Sequence, residues 1–158
     1  MKLLILHTFI IFISSLTFAQ TQIPNCMARG KIMPIDNATV LKWKHTSANQ
    51  FRSRGHILGT VVRVYPDHTG HHHYEVQIGS TANDYVEVIY NEEFGIVPQA
   101  SPGAKFEACG DYITANKSIG RGPPSPDGAL IHWVHRSNDV VAHDSGYIVV
   151  NGILCGQK

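Results

Sequence analysis

Between His56 and Cys155 apolar residues recur at every second position, and this alternation constrains the fold more than any other feature of the chain. In "HILGTVVRVYP", Leu58, Thr60, Val62 and Val64 fall on one side, and Gly59, Val61, Arg63 and Tyr65 on the other. Period two is the signature of a strand, whose successive side chains leave opposite faces. Pro66 is expected to end this strand, and "DHTGHHH" to form a turn at Gly70. "YEVQIG" then places Tyr74, Val76 and Ile78 inward, with Glu75 and Gln77 outward. "DYVEVIY" alternates Val86, Val88 and Tyr90 against Tyr85, Glu87 and Ile89, and "AKFEACGDYI" aligns Phe106, Ala108, Gly110 and Tyr112. After a breaker-rich loop at 116–128, "ALIHWVH" reads as a further strand. "GYIVVNGILC" reads as a hairpin, because Asn151-Gly152 suits the two positive φ angles of a type I′ turn. Val62, Val76, Val88 and Phe106 are the expected interior.

Upstream of the strands, "ATVLKWKHTSANQF" carries Val40, Leu41, Trp43 and Phe51 at helical spacing, which predicts a helix over Ala38–Gln50 capped by Asn37. One helix followed by short strands predicts a mainly β fold. The expected architecture is a small OB-like antiparallel barrel of about five to seven strands with one N-terminal helix. A two-sheet sandwich is the alternative. Residues 20–55 form the lead-in and helix, and residues 56–158 the barrel domain.

"MKLLILHTFIIFISSLTFAQ" opens with Lys2, runs apolar from Leu3 to Phe18 and ends in small residues. This is the pattern of a secretory signal peptide over residues 1–19, with Gln20 the first residue after cleavage. Ser14, Ser15 and Thr17 interrupt the run, which is short for a membrane span of about 20 residues, and no later segment is apolar enough to be one. The protein is therefore expected in the periplasm or outside the cell, as one domain of about 139 residues. Basic and acidic residues nearly balance in the whole chain, at net charge +1. Nucleic acid is thus not favoured as a partner, since an unspecific grip on it needs a basic surface.

Cys26, Cys109 and Cys155 are the three cysteines. In an oxidising compartment two are expected to pair. Cys109 and Cys155 both sit in strand-like segments of the C-terminal half, so they are the favoured disulfide. Cys26 is then a free thiol or displaces one of them, and three buried free thiols are the remaining alternative.

Histidine is abundant, with ten in the chain. His68 lies near His71, His72 and His73; His132 lies near His135; His143 follows. Neutral imidazole suits zinc and other divalent transition metals, so His132, His135 and His143 form a candidate metal set. In a regular strand, however, His132 shares a face with Leu130 and Val134, and His135 with Ile131 and Trp133. Both reach one ion only if a bulge or the strand end falls between them. Otherwise they are a core histidine and a rim histidine. A histidine general base near Asp139 or Asp144 is a further option. Nucleophile elbow, phosphate loop, Cys-x-x-Cys and His-Glu-x-x-His motifs are absent. Trp133, Tyr65, Tyr74, Tyr85 and Tyr90 either pack the barrel or give the aromatic face on which single-stranded nucleic acids and sugars stack.

Several of these residues together resemble a bacterial family of small exported proteins, domain of unknown function 3465. The matching elements are Gly59-Thr60-Val61-Val62-Arg63-Val64 with Pro66-Asp67, Gly70 with His73, Asn91, Gly110-Asp111-Tyr112, Ile131-His132-Trp133 with His135, and His143 before Gly146. They span roughly residues 57–157. Tyr90 stands where the family has a histidine, and Cys109 and Cys155 stand where its pattern has no cysteine, which favours their pairing. The resemblance implies the barrel, export and the polar positions, without a reaction. The expected function is binding of a small anionic or polymeric molecule, or a divalent metal, through His73, Asn91, His132, Trp133, His135 and His143. The alternatives are a metal- or histidine-dependent extracytoplasmic hydrolase, and a secreted effector acting through a protein surface.

Overall fold

A computed structural model of the protein describes residues 22–118, 123–139 and 143–158. The expected signal peptide, residues 1–19, lies outside them. Two-residue strands β1 (Met27–Ala28) and β2 (Lys31–Ile32) form a small hairpin ahead of helix α1 (Asn37–Thr46). Strands β3 (Arg52–His68), β4 (His71–Gln77), β5 (Tyr85–Asn91), β6 (Lys105–Thr114), β7 (Ala129–His132), β8 (Tyr147–Val150) and β9 (Ile153–Cys155) make one sheet, in the order β3-β4-β5-β7-β6-β8-β9. An additional β3–β6 pairing closes β3, β4, β5, β7 and β6 into a ring. The fold is thus mainly β and barrel-like, with one α-helix among the described residues. The expectation of a wholly antiparallel barrel is corrected at one seam. β7 runs antiparallel to β6 and therefore parallel to β5, through Glu87↔Leu130 and Val88↔Ile131.

The ring closes over a core whose parity is as expected in β4, β5 and β6: Val76, Val86, Val88, Tyr90, Phe106 and Tyr112 are fully buried. In β3 the parity is the reverse of the expectation. Ile57 and Val61 are buried completely, while Val62 is half-buried and Val64 is 38% exposed. Apolar residues occupy both parities there, and the pairing with β4 slips between Val61 and Arg63. A bulge of this kind re-aims the side chains beyond it. Nor does Pro66 end β3. It sits in a second slip, between Tyr65 and His68, where no ladder bond needs its missing N–H. The turn is only Thr69-Gly70, both at positive φ, so His71, His72 and His73 belong to a strand. Asn151 and Gly152 form the β8–β9 turn at φ 49° and 86°, as their type I′ signature predicts.

The helix starts one residue away from expectation. Asp36 is its cap, its Oδ1 accepting the Thr39 N–H at 2.9 Å. Asn37 instead fastens the helix to the sheet. Its Nδ2 donates to the Leu58 and Ile78 carbonyls at 2.7 and 2.8 Å, and its Oδ1 accepts the Leu58 N–H at 3.0 Å. Val40 is buried in the main core, and Trp43 packs its ring 5.4 Å from Tyr112. Asn37→Ala leaves three backbone groups without these partners and is expected to lower stability by about 2 kcal/mol, read as a shift of the urea midpoint at unchanged slope.

The disulfide joins Cys26 to Cys109, and Cys155 is a buried free thiol. This corrects the expected Cys109–Cys155 pair, and register gives the reason. Cys109 lies opposite Tyr147, whereas Cys155 lies opposite Ile148, the next residue of β8. Residues opposite one another share a face and neighbours along a strand do not. Cys155 therefore points into the main core, while Cys109 points to the other side of the sheet. There Cys26, Tyr147 and Val149 form a second small cluster.

Candidate functional site

With Tyr74, Val76, Val86, Val88, Tyr90, Ala129 and Ile131 inside, alternation sends the intervening residues of β4, β5 and β7 to the outer face. Register then aligns His71 with Asn91, His73 with Ile89, Glu75 with Glu87, and Glu87 with Leu130. A cleft of about 440 Å³ opens on this face, walled by Tyr65, His73, Glu87, Ile89, Leu130 and the Pro123–Pro126 segment. His73 Nδ1 meets Glu87 Oε1 at 2.6 Å, and Glu87 is buried. At the rim the Tyr65 hydroxyl donates to Asp127 Oδ1 at 3.1 Å. Burial, with Glu75 close by, pushes the Asp127 carboxyl up to about 6.

A row of rings borders the cleft. Phe94 stacks on His135 at 3.5 Å between ring centres, with the ring planes nearly parallel at 6°. His135 meets His143 edge-on at 5.0 Å, His143 lies 6.2 Å from Trp133, Trp133 is 4.7 Å from His132, and His132 is 6.0 Å from His71. The parity conflict between His132 and His135 is resolved by backbone conformation. β7 ends at His132, and Trp133 takes φ +51°, in the left-handed region that bulky residues rarely enter. Surrounding contacts hold it there: Gly146 N–H donates to His135 O at 2.7 Å, and Arg136 N–H to Gly156 O at 2.6 Å. Gly146 has to be glycine, because a Cβ there would collide with the carbonyls of Trp133 and Cys109.

The row offers hydrogen-bond acceptors. The Nδ1 atoms of His71, His135 and His143 lie 3.1, 2.8 and 2.9 Å from the carbonyls of Thr69, Arg136 and Asp144. A carbonyl only accepts, so each Nδ1 carries a proton, and in a neutral ring the Nε2 then carries the lone pair. Burial, reinforced by His71, His135, His73 and His143, pushes the His132 imidazole down to about 4. Burial also lowers His135, against the opposing effect of its bond to Arg136 O. At neutral pH both rings are uncharged. They can stack and accept protons from hydroxyl or amide groups, but they do not attract an anion.

All six sequence-derived positions lie in this region, in different roles. His132, Trp133, His135 and His143 make up most of the row, and His73 walls the cleft. Asn91 works indirectly: its Oδ1 accepts the Glu93 N–H at 2.9 Å, starting the 3-10 turn Glu92–Phe94 that sets Phe94 under His135. His135 and His143 touch each other, and Trp133 lies between His143 and His132. Among the described residues no three of His, Cys, Asp or Glu are grouped so that they could hold a metal ion. Tyr65, weighed above as part of an aromatic face, walls the cleft, whereas His71, Glu87, Leu130 and Phe94 were not anticipated as site members. His71 was legible as the residue two before His73 on the same strand face, whereas Phe94 carries no local signal. His56 is structural: buried, with Nδ1 2.9 Å from Met33 O and Nε2 3.1 Å from Glu107 Oε1. The described residues contain no helix long and apolar enough to cross a membrane. No family model, no curated protein and no solved structure matches the chain.

Proposed function

We propose that the protein is an exported binding module for a polysaccharide, held along the ring row and into the adjoining cleft. The observation that carries this reading is the row itself: Phe94, His135, His143, Trp133, His132 and His71 follow one another at 3.5–6.2 Å between ring centres. These six rings are each partly exposed and touch one after another, some stacked and some edge to face, which offers aromatic contact to successive units of a chain. His132 and His135 are held neutral, and the His135 Nδ1 bond to the Arg136 carbonyl leaves its Nε2 as an acceptor, which suits a partner rich in hydroxyl donors. The resemblance to domain of unknown function 3465 supports the choice of polar positions. The N-terminal pattern supports export, and a disulfide is compatible with it.

Affinity electrophoresis through gels containing neutral or acidic soluble polysaccharides tests this reading. The protein is expected to be retarded by at least one of them. Trp133→Ala should weaken that retention about tenfold or more, in keeping with about 1–3 kcal/mol for an aromatic stacking contact. The near-native melting temperature of the variant is the control. Retention by single-stranded DNA with no polysaccharide retained, or retention unaffected by Trp133→Ala, would refute it.

A further inference from the structure

A second cleft, of about 850 Å³, opens between the β1–β2 hairpin, α1, the start of β3 and residues 143–144. Arg29, Arg52 and Arg54 line it, with Asp111 and Asp144. Arg54 is spent on the fold: its guanidinium bonds Asp111 Oδ1 at 2.7 Å and Met27 O at 3.1 Å, and also reaches Ser145 O. Arg29 and Arg52 are exposed, and among the described residues neither guanidinium is in an ion pair. Asp144 is the remaining carboxylate, and its Oδ2 is already engaged at 2.8 Å by the backbone N–H of Arg29. Arg52 shares a strand face with Arg54, but its cross-strand neighbour is Ile113, where Arg54 has Asp111. Three arginines against two aspartates leave the lining one positive charge in excess, with Arg29 and Arg52 outside any ion pair among the described residues.

The cleft is continuous with the ring row. His143 belongs to both, and the Arg52 guanidinium lies 5.9 Å from the centre of the Trp133 ring. We propose that the cleft binds an oxyanion of carboxylate or phosphate type, carried as a substituent on the polymer that lies along the row. Planar guanidinium forks fit both groups through paired hydrogen bonds. The ligand class sharpens accordingly to an acidic polysaccharide. The carrier rests on the functional reading above, but the oxyanion site does not.

Calorimetric titration of the full protein with inorganic phosphate and with glucuronate, at ionic strength held constant with chloride, separates the two oxyanions. Saturable binding of at least one is expected. The Arg29→Gln/Arg52→Gln double variant should weaken it tenfold or more, with an unchanged circular dichroism spectrum and melting temperature, while Lys42→Gln on the exposed side of α1 leaves it intact. Response to phosphate alone identifies a phosphorylated polymer, and response to glucuronate alone a uronic acid polymer. No binding of either anion, or binding undiminished in the double variant, overturns the proposal. If the anions fail while Trp133-dependent retention by a polysaccharide persists, this inference falls and the functional reading stands. If the anions bind and no polysaccharide does, the reverse holds.

Discussion

Cys26→Ser lowers the melting temperature of the oxidised protein by about 15 °C, whereas Cys155→Ala shifts it by only a few degrees. The asymmetry follows from the pairing. The Cys26–Cys109 bond spans a sequence separation of 83 residues, and closing so long a loop removes about 4–5 kcal/mol of chain entropy from the unfolded state. It also fixes an N-terminal segment held otherwise by scattered single bonds, among them Arg54 to Met27 O, Arg29 N–H to Asp144, and the Met33 carbonyl on His56. Cys155 carries no covalent bond, and its truncation in the core costs about 1 kcal/mol. Thermal unfolding followed by circular dichroism, with and without a reductant, checks both arms. A Cys109–Cys155 bond would give the opposite order, with Cys155→Ala damaging and Cys26→Ser nearly harmless.

Acidification through the range where His132 titrates is the second large effect. An unfolded histidine takes up its proton near pH 6.5, but native His132 resists protonation down to about 4. Across that window the unfolded chain binds more protons, so stability rises with pH, is fully present above about 6.5, and is lost as pH falls to about 4. The shift corresponds to about 3 kcal/mol. Asp127 acts in the opposite sense. Its carboxyl is raised from 3.8 to about 6, so its contribution is present at low pH and lost as pH rises through that range. Comparing the wild type with His132→Asn isolates the histidine. Between pH 7 and pH 4 the wild type should lose about 3 kcal/mol more than the variant in urea unfolding. Equal losses in the two proteins would mean that His132 is not held neutral by its surroundings.

Local pattern decided the fold where only one parity was apolar. Val76 and Phe106 alternate against charged or polar neighbours, and their burial follows directly. In β3 the apolar Val61, Val62 and Val64 occupy both parities, so the choice passed to the bulge after Val61, a property of the pairing with β4. The cysteines illustrate the same limit. Cys109 and Cys155 are both strand residues, and only the β6–β8–β9 register shows that they face apart. For the site, the residue types were legible in "IHWVH", but their alignment was not. It depends on a left-handed tryptophan stabilised by Gly146 and Gly156, which come from later in the chain. The 440 Å³ cleft likewise joins Tyr65, Ile89 and the Pro123–Pro126 segment across sequence distances that no short motif spans.

The pairing of Cys26 with Cys109 also bears on the order of events during secretion. On the exported chain proposed here, the amino end crosses the membrane first. Both bonding partners then reach the oxidising side while Cys155, close to the carboxyl end, is still to follow. A bond made during passage is therefore the native one by default. A chain released fully reduced and oxidised afterwards has Cys155 as a competitor, nearer to Cys109 along the sequence than Cys26 is. Vectorial delivery thus protects the correct crosslink, and recombinant material reoxidised from denaturant is where scrambled species are expected.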